Sequence, residues 1–178
     1  MPLVDLAPAS SCAIDGYLTD TDPNGTNVRS APRADAPVSG HLPLLAMHPA
    51  DPADAGAPVF EIIGSKNGWL LIRNARFEDP ADPVKPVFKG PGWISGGLVG
   101  FTVGSLALRD APSANAKVIE KLTSADGTMG PDSYKVTHVH ACVGHFAEVT
   151  IQSAGSHKSA PMRGWVDKVC GNQLTTCN

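Results

Sequence analysis

Apolar and polar residues alternate along this chain in short stretches separated by glycine and proline. Val139, Ala141 and Val143 take every second position of KVTHVHACV, as do Ala147, Val149 and Ile151 in FAEVTIQS, with Gly144-His145 between the two. That is the period of half-buried antiparallel strands joined by a turn. Earlier, APVFEII and WLLIRN flank the stretch Gly64 to Gly68, which reads as another hairpin turn. Gly and Pro supply 34 of the 178 residues (18 and 16), so few stretches could hold a long helix. The predicted class is all-β.

A longer pattern lies over these strands. NVRSAPRADAPVSGHL, from Asn27, returns as ALRDAPSANAKVIEKL, from Ala107. Arg29, Ala31, Pro32, Ala34, Ala36, Val38 and Leu42 reappear 80 positions on as Arg109, Ala111, Pro112, Ala114, Ala116, Val118 and Leu122. A fixed recurrence of this kind points to two copies of one structural unit. In each copy a strand runs into Arg and stops at Ala-Pro, since proline cannot donate to a ladder. A loop of small residues follows, then a strand from Val38 or Val118. The guanidinium fork suits bracing that loop through its carbonyls, so Arg29 and Arg109 read as structural. Each copy ends on Gly-Trp: GPGWISGGLVG around Trp93 and MRGWVDKVCG around Trp165.

The order strand, Ala-Pro loop, strand, hairpin, Gly-Trp strand resembles the bacterial SH3 (SH3b) domain. The matching pieces are NVRSAPRADAPVSGHL, NGWLLI and GWISGGLV in the first copy. In the second they are LALRDAPSANAKVIEKL, HFAEVTI and GWVDKVCG, with Phe146 where the first copy has Trp69. The resemblance covers about Gly16 to Gly171. It implies two tandem SH3-like small β-barrels packed together, residues 12–100 and 101–178, joined through VGFTVG at Val99–Gly104. Two Asp- and Pro-rich insertions interrupt the first copy, Leu44 to Pro58 and Asn74 to Gly92, and one interrupts the second, Thr123 to Lys135. All are expected to be surface loops, where binding function usually sits.

Composition narrows the function. Net charge is −3 with a pI near 6.0, and Lys and Arg form no dense run. No nucleic-acid or anionic-lipid partner is expected. No apolar run approaches the roughly 18 residues of a membrane span. The opening MPLVDLAPASSCAIDG lacks a basic n-region and a continuous apolar stretch, so it is not itself a signal peptide; the expectation is the mature end of an exported protein. Cys12, Cys142, Cys170 and Cys177 contain no CxxC pair. Their even number suits disulfides and an oxidising compartment, periplasmic or secreted, the alternative being four reduced, buried thiols in a cytoplasmic protein. Of three possible connectivities, Cys170–Cys177 closing a local loop and Cys12–Cys142 linking the two copies is favoured.

Candidate chemistry is sparse. Alternation puts His138, His140 and Cys142 on one strand face and Val139, Ala141 and Val143 on the core face. Imidazole and thiolate are metal ligands, but two exposed strand histidines are ordinary polar surface, and no metal or cofactor is expected. No thiolate–histidine pair opening a helix is present. Carboxylates such as Asp51 and Asp54 lie in Pro-rich loops, without the rigid setting of acid–base catalysis, so no catalytic residue is expected. The candidate ligand-binding residues are the aromatics Trp69, Trp93, Tyr134, Phe146 and Trp165, with core packing as their competing role. The expected function is non-catalytic binding in the cell envelope, to a cell-wall peptide (peptidoglycan) or a protein partner. The alternative is a periplasmic inhibitor or immunity-type protein that blocks a partner enzyme.

Overall fold

A computed structural model of the chain describes residues 2–44, 57–79, 82–124, 127–154 and 160–171. The first group of strands is β1 (Ser10–Leu18), β2 (Thr26–Arg29), β3 (Val38–Leu42), β4 (Val59–Lys66), β5 (Trp69–Asp79), β6 (Asp82–Phe88), β7 (Gly92–Ser95) and β8 (Val99–Gly100). The second group is β9 (Thr102–Val103), β10 (Ala107–Arg109), β11 (Val118–Lys121), β12 (Tyr134–Val143), β13 (Phe146–Ser153), β14 (Met162–Val166) and β15 (Val169–Cys170). Among the described residues helical structure is limited to two 3-10 turns, Gly96–Leu98 and Pro131–Ser133. The protein is all-β.

The repeated phrase returns as repeated topology. The first sheet runs β3-β2-β7-β5-β4-β1-β8, with β6 added beside β5, and the second runs β11-β10-β14-β13-β12. The order β3-β2-β7-β5-β4 thus matches β11-β10-β14-β13-β12 strand for strand. Local detail matches as well. The ladder is bulged between Val28 and Arg29 and between Leu108 and Arg109. Arg29 Nη1 donates to the Ala36 carbonyl at 3.1 Å, and Arg109 Nη1 to the Ala116 carbonyl at 2.8 Å. Each guanidinium ties down the carbonyl end of the small-residue loop that its own strand leads into.

The Gly-Trp pairs have a packing reason. A Cβ on Gly92 would overlap Val28, and one on Gly164 would lie 2.7 Å from the Arg109 carbonyl oxygen and from Leu108 Cγ. Only glycine lets β7 and β14 lie this close to β2 and β10. The β4–β5 turn is Asn67-Gly68, with φ of 53° and 78°. Both residues take the left-handed conformation of a tight two-residue hairpin. β4 itself continues through Gly64 to Lys66, so the turn is shorter than the sequence reading.

Four expectations are corrected or refined. First, neither sheet closes into a barrel. β1 is nine residues long and pairs with both β4 and β8, whereas its counterpart β9 has two residues and, among the described residues, pairs only with β15. In the second copy β9 packs near β12 without pairing with it. Second, the insertion Asn74 to Gly92 is not a loop: β5 extends to Asp79 and β6 pairs back on it. Proline is tolerated in β6 because this strand lies at an edge. Of the insertion Leu44 to Pro58, residues 45–56 lie outside the described residues.

Third, β12 does not alternate simply. Bulges between Val136 and His138 and between Val139 and Ala141 shift its faces, so that Val136, Val139 and Cys142 are the buried positions, while Val143 is 40% exposed. Cys142 belongs to the core, not to the histidine face. Fourth, the core is continuous from one group of strands to the other. Ile14, Leu18, Ile62 and Val99 cluster with Phe101, Val103, Val139 and Val149. β12 packs on β1, β4, β8 and the Gly96–Leu98 turn.

Cys12 and Cys142 form a disulfide, Cα atoms 5.7 Å apart and 130 positions apart in sequence. Such a bridge persists in an oxidising compartment. Cys170 is also disulfide-bonded; Cys177 lies outside the described residues. No helix among the described residues is long and apolar enough to cross a membrane.

Candidate functional site

Both sheets have an outer face, opposite the core, and the two faces are built on the same register. On β5, Leu70 and Ile72 enter the core, so Trp69 and Leu71 project outward; on β7, Ile94 is core and Trp93 projects outward. Cross-strand pairing makes a row of Val38, Arg29, Trp93, Leu71 and Gly64. The second sheet carries the corresponding row of Val118, Arg109, Trp165, Glu148 and Ala141.

In the first sheet the row is covered by the chain's own N-terminal segment. The Asp5 amide donates to the Ser30 carbonyl at 2.7 Å, and the Trp93 indole N–H donates to the Asp5 carbonyl at 2.7 Å. Lys66 Nζ donates to the Ala7 carbonyl at 3.4 Å and pairs with the Asp5 carboxylate at 3.5 Å. Pro8 lies on Gly64, where a Cβ would come within 2.6 Å of it. Trp93 and Leu71 are therefore 0% and 2% exposed, although both lie outside the core cluster. The Ala7 amide on its carboxylate, together with Lys66, holds Asp5 below the usual carboxylate range.

The second sheet's row has no such cover among the described residues. Trp165 is half-buried, and its indole N–H has no hydrogen-bond partner there. Glu148 replaces Leu71 and is ion-paired with Arg163 at 3.0 Å. Phe146 lies on the same face, two positions before Glu148. The edge strand β11 is exposed along its whole length, with Val118 and Ile119 40% and 49% exposed, and Leu106 nearby is 63% exposed. In the first sheet the matching edge is covered at its middle, where the Phe88 ring lies against Gly40 of β3, while Val38 is 45% exposed.

The candidate aromatics thus separate. Trp69 and Trp93 share the first outer face, and Phe146 and Trp165 share the second. Tyr134 lies at the far end of β12, opposite Ser153, roughly 20 Å from the Trp165 row at a strand's rise per residue, and packs on the core. The residues that sequence reading missed are Asp5 and Pro8, because nothing in PLVDLAPA marks it as the cover of a distant tryptophan.

The histidine strand holds a local cluster. His138 and His140 stack with ring centroids 4.3 Å apart, and His140 Nε2 is 2.8 Å from Thr150 Oγ1. Burial, then the nearby Arg163 and His138, pushes the His140 imidazole below its usual range, against a smaller opposing pull from Glu148. Among the described residues no group of three or more His, Cys, Asp or Glu is placed to hold a metal. No protein-family model, curated protein or solved structure matches this chain.

Proposed function

We propose that this protein is a non-catalytic binding protein of the cell envelope, exported to the periplasm or beyond, and that its two groups of strands are open variants of the bacterial SH3-like unit. The observation that carries the reading is the contrast between the two sheets. The first has its outer face covered by the N-terminal segment and the middle of its edge by Phe88. The second leaves Trp165 half-buried with no such cover among the described residues, and its edge strand β11 exposed along its whole length. Accessible apolar side chains beside an unpaired strand edge are what partner-binding surfaces offer. The Cys12–Cys142 bridge supports an oxidising compartment.

The ligand is peptidoglycan or a protein partner. Cosedimentation with purified peptidoglycan, run beside pull-downs from periplasmic extract, tests the reading. Saturable binding in either arm supports it. Failure of both, with folded protein, removes it. A stable complex that silences a periplasmic enzyme would move the protein to the inhibitor class.

A further inference from the structure

The first sheet shows what its outer face binds, because the chain has supplied the occupant itself. One extended residue, Asp5, makes two bonds there: its amide N–H to the carbonyl of the residue after Arg29, and its carbonyl to the indole N–H of the Gly-Trp tryptophan. Both groups that Asp5 engages are repeated in the second sheet. Asp110 stands where Ser30 does, its amide bonded to the Lys117 carbonyl as that of Ser30 is to the Pro37 carbonyl. Trp165 pairs with Arg109 as Trp93 pairs with Arg29. Among the described residues neither the Asp110 carbonyl nor the Trp165 indole is engaged.

We infer that the second outer face is a docking site for an extended segment of a protein partner, one residue of which gives its amide to the Asp110 carbonyl and takes the Trp165 indole N–H on its own carbonyl. The N-terminal segment is the intramolecular precedent for that ligand: a run of ordinary L-residues recognised through its backbone. Two substitutions in the row set the partner apart from it. Ala141 replaces Gly64, so the methyl group excludes the close approach that Pro8 makes. Glu148 with Arg163 replaces Leu71, so the floor is polar where the first is apolar. The segment that fits has no proline three residues after the bonded one and turns its larger apolar side chains to solvent, as Leu3 and Leu6 do on the first face. Pairing through main-chain groups, with side chains adding specificity, is an established mode of peptide recognition. This inference rests on the binding reading above and narrows it to one face and one class of partner.

The test uses the full-length, oxidised, 15N-labelled protein and the capped peptide LVDLAAA, which is residues 3–9 with alanine for Pro8. The three tryptophans give three indole N–H resonances, and Trp165→Phe identifies one of them. The expected result is a saturable shift of the Trp165 resonance, with a Kd on the order of a millimolar for so short and flexible a ligand, and no shift of Trp93. Methylating the peptide's Asp nitrogen removes the donor and should weaken binding about tenfold, the loss of roughly one hydrogen bond. Trp165→Phe, which keeps an aromatic ring, should weaken it similarly. A Trp165 resonance unmoved at several times that concentration overturns the inference. So does equal binding of the methylated peptide. A cell-wall stem peptide that saturates Trp165 at lower concentration than LVDLAAA would overturn the choice of a protein partner. Peptidoglycan or partner capture that survives Trp165→Phe would leave the binding function standing while this site fell.

Discussion

A methyl group on Gly96 would overlap the Val139 carbonyl oxygen, while one on Gly97 would meet His138 Nδ1 at 3.3 Å. The two neighbouring glycines therefore separate sharply. Gly96 lies on the backbone of β12, which cannot move without disturbing the bulge that sets its register. Gly97→Ala presses only on a side-chain ring. We expect Gly96→Ala to destabilise the protein by about 3 kcal/mol, in the upper range for overpacking, and Gly97→Ala by under about 1 kcal/mol; urea unfolding of the two variants checks the difference. His140 gives a pH prediction. Its pKa is lowered in the folded protein from the ordinary histidine value of about 6.5, so the unfolded chain binds the extra proton first. Stability is then full above that value and falls as pH drops below it. Urea midpoints at about pH 7.5 and 5.5 should differ less for His140→Gln than for the unaltered protein; an unchanged difference would remove His140 as a source. At this scale the sequence was partly legible. The Arg braces and the Gly-Trp pairs could be read because each occurs twice. The Asp5 contact could not, since Asp5 engages through its own main-chain amide and carbonyl, which every residue type but proline carries.

Elements were legible where alternation is unbroken and obscure where a bulge or proline intervenes. β13 keeps Ala147, Val149 and Ile151 buried as its pattern predicts. β12 does not, because two bulges convert a period of two into buried positions three apart. The β6 strand was hidden by its prolines, whose exclusion from ladders applies to central strands and not to edges. This hairpin has a consequence. Phe88 covers β3 at Gly40 and approaches Gly92, while β11, without a counterpart, stays exposed. Phe88→Ala should therefore destabilise the protein by about 1–3 kcal/mol through lost burial. It should also uncover the middle of the β3 edge, which favours self-association. Urea unfolding measures the first effect, and light scattering against concentration the second. A stable, strictly monomeric variant would show that β6 shields nothing.

For the whole molecule the question is whether two repeated units behave as one. The apolar core runs through both, and β12 packs across from the second sheet to β1, β4 and β8 of the first. The Cys12–Cys142 bridge fastens the same seam. Hydrogen bonds flank it: the Ala13 amide to the Gly144 carbonyl at 2.8 Å, the Gly144 amide to the Ser11 carbonyl at 3.0 Å, and Ser10 Oγ to the Cys142 carbonyl at 2.7 Å. A shared core with no separable interface should melt as a single cooperative transition. Removing the bridge by Cys12→Ala with Cys142→Ala releases a closed loop spanning 130 positions, for which the chain-entropy account gives about 3–5 kcal/mol. The seam's hydrogen bonds and apolar contacts remain in that variant, so the units should stay docked and melt together at a lower temperature. Calorimetry of the oxidised protein and of the double variant decides between two pictures. One transition in each, the second displaced downward, is the expected result. Two transitions in the variant would mean that the disulfide alone holds two independent bodies together, and two in the oxidised protein would contradict the continuous core itself.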